Sequence, residues 1–494
     1  MSRTISRAKY LRQLYPYKPP STSIDHLVIG GGAVGLSVAA GLVNTSGRDK
    51  ITFLVERRGQ VSFTSVLNPA YLKIGGSLTD SIEKLGQETT ARNSEVIHSG
   101  IYYPLGSLKS RLCIRGRDIL YDRCKSLGIG YKNTGKIVVA TSPSQIPYLE
   151  KLQKHSQHPS FLSDPDDTSS SSIRTKFLSG EEARELEPDL STSVCGGLLI
   201  PSTGIVDSQG LVDSLEREIE DPDYNSPASS SPSGEDRGEG VIVLGTRVVR
   251  IDKEEKGNGW VVQLETNWEG LAEGEKGDVE SVRTDVLVNA AGLGAVSLTD
   301  GVVGDGQMKM YAVKGNYMSY KGPGVGKVSR LIYPCPSANI DHLGTHLTLD
   351  LEGHIKFGPD VQIIGTWEDY ISNPEFWEKH LSPSDSPELK SQFAQSVLDY
   401  LPNINPDNLS PDYSGIRPNI SPPNAGFSDF LIRHDESRKG FVELLGFNSP
   451  GLTSSLAVGE DVSEMINKDI HGRHSKVGEG REKRLHELAK GWEA

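Results

Sequence analysis

Apolar and polar positions along the 494-residue chain alternate in a pattern that predicts strands and helices at both ends and short strands in the middle. The first organised segment is an apolar strand, His26–Ile29, that runs directly into Gly30-Gly31-Gly32-Ala33-Val34-Gly35. A helical run, Leu36 to Val43, leads to a second apolar strand, Ile51 to Val55, which is closed by Glu56. Strand, glycine turn, helix, strand and acid therefore follow one another within a single short unit. Asp207–Glu218 has the spacing of a helix, Val241–Val249 and Trp260–Leu264 read as strands, and Val286–Gly292 reads as a buried strand entering another glycine turn. Short β-like runs alternate with turn residues from Tyr311 to Phe357. Phe441–Leu445 is a strand before the Asn448–Gly451 turn and a helix to Ile466.

Between these elements lie polar stretches at Ser156–Thr175 and Asp221–Gly240 and a charged, glycine-containing one at Glu269–Thr284. They read as surface insertions, because they bury too little apolar area to order themselves. No apolar run approaches the roughly 20 residues that span a bilayer. Lys+Arg 52 against Asp+Glu 65 gives a net charge of −13, the opposite of a nucleic-acid footprint, so an anionic ligand must be held by local cations. Cys113, Cys124, Cys195 and Cys335 are scattered without metal-ligand spacing and read as reduced, mostly buried thiols, with no metal site expected. Residues 1–23 contain Arg3, Arg7, Lys9, Arg12 and Lys18 and no carboxylate. That is the composition of a mitochondrial transit peptide, with a basic disordered tail on a cytoplasmic protein as the alternative.

In the amino-terminal unit Gly30 permits the tight turn, Gly32 lets backbone approach a pyrophosphate, and Gly35 lets the helix lie close to the strand. Glu56 is placed to accept a hydrogen bond from a ribose hydroxyl. Nicotinamide and flavin dinucleotides both use this arrangement, so the choice between them rests on residues elsewhere.

The stretch Arg92-Asn93-Ser94-Glu95-Val96-Ile97-His98-Ser99-Gly100-Ile101-Tyr102-Tyr103 supplies the first of them. Gly204-Ile205-Val206-Asp207, Val288-Asn289-Ala290-Ala291-Gly292, Val313-Lys314-Gly315-Asn316-Tyr317 and Ile332-Tyr333-Pro334-Cys335-Pro336 follow it. Leu343-Gly344-Thr345-His346-Leu347-Thr348, Ser414-Gly415-Ile416-Arg417-Pro418 and Ser449-Pro450-Gly451-Leu452-Thr453-Ser454-Ser455 complete the set. Together these segments resemble the FAD-dependent oxidoreductases related to D-amino-acid oxidase and glycerol-3-phosphate dehydrogenase, and within them the L-2-hydroxyglutarate dehydrogenases. The resemblance covers most of Ile24–Ile466. It implies an α/β fold: a Rossmann-like FAD-binding domain from residues 24–128, 206–306 and 416–494, interleaved with a mostly antiparallel β-sheet substrate-binding domain from 129–205 and 307–415. The isoalloxazine would lie at their interface. One segment departs from these relatives. Gly59-Gln60 recurs as Gly86-Gln87, and Val61–Leu85 between them has no counterpart, which reads as a lineage-specific loop or a retained intron.

The resemblance and the residue chemistry together nominate the site. Cofactor contacts are expected from Gly30, Gly32, Ala33, Val34, Gly35, Glu56, Arg57, Asn93, Ser94, Val249, Ala291 and Gly292. Gly451, Leu452, Thr453 and Ser454 would add a helix amino terminus facing the flavin. The absence of a cysteine beyond Cys335 favours noncovalent FAD. Oxidation of a 2-hydroxy acid by hydride transfer to the flavin needs a base for the hydroxyl proton and cations for the carboxylates. His98 is the expected base, with His346 as the alternative base or carbonyl-polarising group. Arg417 is the expected carboxylate clamp because its planar fork binds bidentately, and Tyr103 and Lys109 are secondary substrate contacts. The expected activity is oxidation of L-2-hydroxyglutarate to 2-oxoglutarate, with a small dicarboxylate as substrate and a quinone, an electron-transfer flavoprotein or oxygen as electron acceptor. Peripheral membrane contact stays open. The competing readings are oxidation of another small hydroxy or amino acid, a catalytically silent flavoprotein acting as an assembly factor, and a nicotinamide-dependent dehydrogenase.

Overall fold

The structure, a computed structural model, describes residues 7–58, 85–158, 161, 173–221, 224, 237–269, 271–272, 274–303, 308–336, 344–366, 380–383, 385–422, 425–434 and 436–473. Residues 61–84 of the unmatched segment lie outside this range, as do most of the polar stretches within Ser156–Thr175 and Asp221–Gly240.

Parallel strands need apolar side chains on both faces, and the sequence provides five such runs. β1 (Thr22–Ile29) lies between β2 (Ile51–Val55) and β12 (Asp278–Asn289), parallel to both. β9 (Glu239–Val243) extends the row beyond β2, and β20 (Phe441–Leu445) extends it beyond β12. Three antiparallel strands complete this eight-stranded sheet. They are β10 (Arg247–Lys253), β11 (Trp260–Thr266), which pairs with the amino-terminal half of β12, and β19 (Leu431–His434), which pairs with β20.

Helices α2 (Ala33–Thr45), α3 (Leu108–Leu127), α6 (Ser208–Glu220) and α9 (Gly451–Asp469) pack against one another over this sheet. Their approach is close enough that a Cβ at Gly459 would lie 2.3 Å from the Ser37 carbonyl oxygen, and one at Gly116 would lie 2.3 Å from that of Thr453. Helix α7 (Ala295–Val303) follows β12, and α1 (Arg7–Leu14) lies against β10.

The second sheet is antiparallel except where β14 meets β5. Its order is β17 (Gln362–Thr366), β13 (Tyr311–Tyr320), β16 (Ile355–Gly358), β15 (His346–Leu349), β14 (Leu331–Pro334), β5 (Lys136–Ala140), β7 (Gly196–Ile200), β6 (Lys176–Ser179). β18 (Leu409–Asn419) also pairs with β13. Helices α4 (Ile146–Ser156), α5 (Gly180–Leu186) and α8 (Pro387–Leu398) flank it. A small third sheet of β3 (Val96–Ile97), β8 (Gly204–Val206) and β4 (Tyr131–Lys132) is built around Gly204-Ile205-Val206. A Rossmann-like unit interleaved with a mostly antiparallel sheet is the expected fold class.

Three local expectations change. The single strand expected over Val241–Val249 is two, because Gly245 turns the chain at φ +61° between β9 and β10. The latter half of Glu269–Thr284 is no insertion but the start of β12, where Val282 and Thr284 are buried against β11 and β1. The chain is also engaged well before Ile24. Tyr15 is buried and its hydroxyl donates to Glu265 at 2.9 Å, and the Lys18 backbone N–H donates to Gln263 at 2.8 Å. All four cysteines are free, with Cys195 exposed and the other three buried.

His26 ties the first strand to the end of α9. It is fully buried, with Nδ1 2.8 Å from Thr52 Oγ1 and Nε2 2.7 Å from His471 Nε2. Burial, reinforced by His471, lowers its pKa to about 3. Below about pH 6.5 the unfolded chain takes up a proton here that the folded one refuses, so stability falls as pH drops from there toward 3, by up to roughly 1.4 kcal/mol per pH unit. Urea unfolding at pH 7 and pH 5 should show a smaller loss on acidification in His26→Asn than in the wild type.

Candidate active site

A cavity of about 1660 Å³ runs from the carboxyl ends of β1 and β2 to the face of the second sheet. Its first end is the glycine turn. Gly30 has φ +113°, and a Cβ there would lie 2.5 Å from the Ala290 carbonyl oxygen, so the turn accepts no side chain. Gly35 does not line the cavity. Its own Cβ would lie 2.0 Å from the Gly30 carbonyl oxygen, which is the close strand–helix contact its position called for. Gly32, Ala33 and Val34 do line it, and Thr90 Oγ1 accepts from the Ala33 N–H at 3.0 Å.

Glu56 stands at the same end. Its carboxylate accepts from the Gly31 N–H at 2.7 Å and the Arg58 N–H at 3.0 Å, which fixes its direction and leaves lone pairs for a further donor. Burial and the Glu88 charge push its pKa up. Arg57 also lines the cavity and is paired with Glu88. Val249, Ala291 and Gly292 form the walls beside it.

The middle of the cavity is shaped by the Asn93–Ser94 loop. Asn93 is spent largely on the loop itself, accepting from the Glu95 N–H at 2.7 Å and donating to the Thr89 carbonyl at 3.2 Å. Ser94 hydrogen-bonds Tyr317, whose ring stacks on Tyr413 at 4.5 Å between centroids. Gly451, Leu452 and Thr453 bring the α9 amino terminus to the cavity. Thr453 Oγ1 accepts from the His98 N–H and donates to the Val96 carbonyl, both at 3.1 Å, so it pins the histidine loop to the helix. Ser454, expected among the cofactor contacts, does not line the cavity, and its Cα faces Gly116 of α3.

At the far end His98, His346, Tyr317, Tyr333 and Arg417 share the wall. His98 Nε2 lies 3.4 Å from Ser449 Oγ, and the surrounding protein, with Lys136 adding its charge, lowers its pKa to about 3. His346 stacks flat on Tyr333, with centroids 3.8 Å apart and planes 6° apart. Its Nδ1 is buried with no hydrogen-bond partner among the described residues, and burial, Lys136, His98 and Arg417 together hold it well below the ordinary imidazole range. Both imidazoles are therefore neutral near pH 7. Arg417 reaches the cavity from β18 and has no carboxylate partner among the described residues.

Two expected substrate contacts sit elsewhere. Lys109 does not line the cavity. It is buried, donates to Asn448 Oδ1 at 2.6 Å and rests 5.2 Å from the Phe430 ring centroid, and burial lowers its pKa to about 8. Tyr103 lies outside the cavity lining, and its carbonyl oxygen is 3.0 Å from His155 Nε2. Sequence reasoning assigned no role to Tyr317, Tyr333, Ser449 or Lys136. The first three lie in motifs that carried the family resemblance, whereas a lysine opening a strand gives no signal of burial.

The side chains present fit a flavin dinucleotide. The glycine turn admits backbone-close phosphate, Glu56 offers a ribose acceptor, and the cavity ends at His346, whose Nδ1 has no partner among the described residues and suits a reacting ligand. Among the described residues no group of His, Cys, Asp and Glu could hold a metal, and no helix is long and apolar enough to cross a membrane.

The family model for FAD dependent oxidoreductases matches residues 25–465. L-2-hydroxyglutarate dehydrogenase, mitochondrial, of Arabidopsis thaliana is 32% identical over 447 residues, 89% of this chain and 83% of that protein. L-2-hydroxyglutarate dehydrogenase of Escherichia coli K12 is 24% identical over 90% of this chain and 93% of its own. Among solved structures, the FAD-bound L-alpha-glycerophosphate oxidase of Mycoplasma pneumoniae superposes with a TM-score of 0.65 at 20% identity, covering 90% of this chain and 95% of that one. Glycine oxidase of Geobacillus kaustophilus gives 0.62 at 15% identity, covering 92% and 96%. With the family model spanning nearly the whole described fold and the cavity shaped for its cofactor, the chain belongs to the FAD-dependent oxidoreductases.

Proposed function

We propose that this enzyme oxidises L-2-hydroxyglutarate to 2-oxoglutarate. The observation that carries the reading is the convergence of His98, His346 and Arg417, which has no carboxylate partner among the described residues, at one end of the dinucleotide cavity. The Arabidopsis relative, named for this substrate and similar over nearly the whole chain, supports the choice among hydroxy acids.

FAD, when bound, supplies the two-electron acceptor for the substrate C–H bond. His98 takes the hydroxyl proton on a ring nitrogen that burial keeps free of one. His346, stacked on Tyr333, shares the cavity wall with His98 and would polarise the same oxygen as it becomes a carbonyl. Arg417 holds a carboxylate through its fork, fixing which face of the substrate is presented. Tyr317 and Tyr333 close the wall with ring surface and exclude water from it. The mitochondrial relatives of Arabidopsis and Dictyostelium discoideum support a mitochondrial location.

Anaerobic mixing of the oxidised holoenzyme with a panel of L- and D-2-hydroxyglutarate, lactate and glycine tests the substrate directly. Rapid bleaching of the visible flavin band with L-2-hydroxyglutarate, and slow or no bleaching with the others, is expected. No bleaching with that acid rejects the reading. His98→Ala should keep FAD and lose roughly 10²–10⁴-fold in the rate of bleaching, the usual span for a lost general base. Unchanged turnover in that variant moves the base to His346. Arg417→Lys should raise KM by about tenfold or more with a smaller change in kcat, since an ammonium cannot reproduce the bidentate fork.

A further inference from the structure

Lys136 opens β5 and its side chain is fully buried. The ammonium sits between two phenol rings, 4.4 Å from the Tyr102 centroid and 4.5 Å from the Tyr333 centroid. Tyr333 in turn stacks on His346 at 3.8 Å. The result is a column of Tyr102, Lys136, Tyr333 and His346, whose last two members lie on the cavity wall. Among the described residues Lys136 Nζ has no hydrogen-bond partner, and neither do the Tyr102 hydroxyl and His346 Nδ1.

The groups that face this ammonium are Tyr102 and His98 from the loop after β3, Cys113 from α3, Tyr333 from β14 and His346 from β15. Arg417 lies beyond His346, and the Arg117–Asp118 pair lies beyond Cys113. None of the facing groups is a carboxylate. A lysine that served only to fill space would be replaced at lower cost by methionine, because an unpaired buried charge is unfavourable and two ring faces offset only part of that penalty. The position makes sense when negative charge arrives from outside the protein.

We propose that Lys136 is a positioning residue for an anionic substrate: its charge is completed when a carboxylate enters the cavity beyond the Tyr333–His346 stack, so that substrate binding and protonation of Lys136 are coupled. The inference rests on the carboxylate-substrate reading above. Burial lowers the pKa of Lys136 to about 7, so near neutrality only part of the free enzyme carries the charge. A bound carboxylate raises it, and binding takes up a proton. As pH climbs above about 7, that proton must be drawn from an increasingly basic solution, and affinity falls by up to about tenfold per pH unit. His98 and His346 stay neutral throughout this range and add nothing to the slope.

The test uses oxidised FAD-loaded enzyme and 2-oxoglutarate, whose binding needs no turnover, with pyruvate as a second probe. Affinity is read from the flavin absorbance change, and proton uptake from calorimetry in two buffers of different ionisation enthalpy, between about pH 6.5 and 8.5. Wild type should take up a proton on binding 2-oxoglutarate and lose affinity as pH rises. Lys136→Met should bind about tenfold more weakly at the acid end, with no proton uptake and a flat pH profile. Lys136→Arg should recover affinity and remain flat, because a guanidinium stays charged. Proton uptake with pyruvate alone supports the coupling while rejecting the dicarboxylate reading. Binding of 2-oxoglutarate without proton uptake in wild type, or with the same uptake and slope in Lys136→Met, overturns the assignment and leaves the substrate reading standing. If Lys136→Met fails to load FAD, the wild-type stoichiometry and the Lys136→Arg profile decide.

Discussion

Removing an imidazole from water penalises its charged form, and that penalty sets the chemistry of this enzyme. His98 and His346 are half-buried on the cavity wall where two sheets meet, beside Lys136 and Arg417, with no carboxylate among the described groups that act on them. An exposed histidine would be half protonated near pH 6.5 and useless as a base below it. Here burial and cationic neighbours act in the same direction, so both rings keep a free nitrogen. The same cations that would repel a proton attract an anionic acid, which makes substrate attraction and base readiness two effects of one charge distribution.

The architecture produces this enclosure by bringing together segments far apart in the chain. His98 leaves a two-residue strand and is pinned by Thr453 of α9, more than 350 positions later. His346 opens β15 and Arg417 belongs to β18, both on the second sheet. Glycine spacing at Gly116 and Gly459 lets α2, α3 and α9 pack closely enough to carry the α9 amino terminus to the cavity. Placing the histidine loop, the helix end and the second sheet around one cavity is thus a packing outcome: Val96 packs in the core of the second sheet, and Ile97 in the core that holds α9.

Much of the parallel sheet was legible because its physics is local. A strand buried on both faces reads as a mostly apolar run, and Ile51–Val55, interrupted only by Thr52, and Phe441–Leu445, interrupted only by Glu443, do so with boundaries that the structure repeats. The glycine turn was legible for a similar reason, since Gly30 and Gly35 answer to backbone geometry within one unit. Long-range burial was not. Lys109 looks solvated from its neighbours in sequence, yet Asn448 and Phe430 cover it from 300 or more positions away. Lys136 was hidden for the same reason, because the rings that enclose it come from Tyr102 and Tyr333 on separate elements. The strand break at Gly245 escaped the apolar pattern because Val241–Val249 stays β-like in composition across the turn.

The central claim is that the base is already neutral well below the ordinary histidine pKa. The rate constant of flavin reduction at saturating L-2-hydroxyglutarate, followed anaerobically by stopped flow in wild-type enzyme from about pH 5.5 to 7.5, tests it most directly. The account predicts a rate that stays level across that interval, because His98 carries no proton to lose. A rate that falls on acidification with an apparent pKa of about 6 to 7 would contradict it.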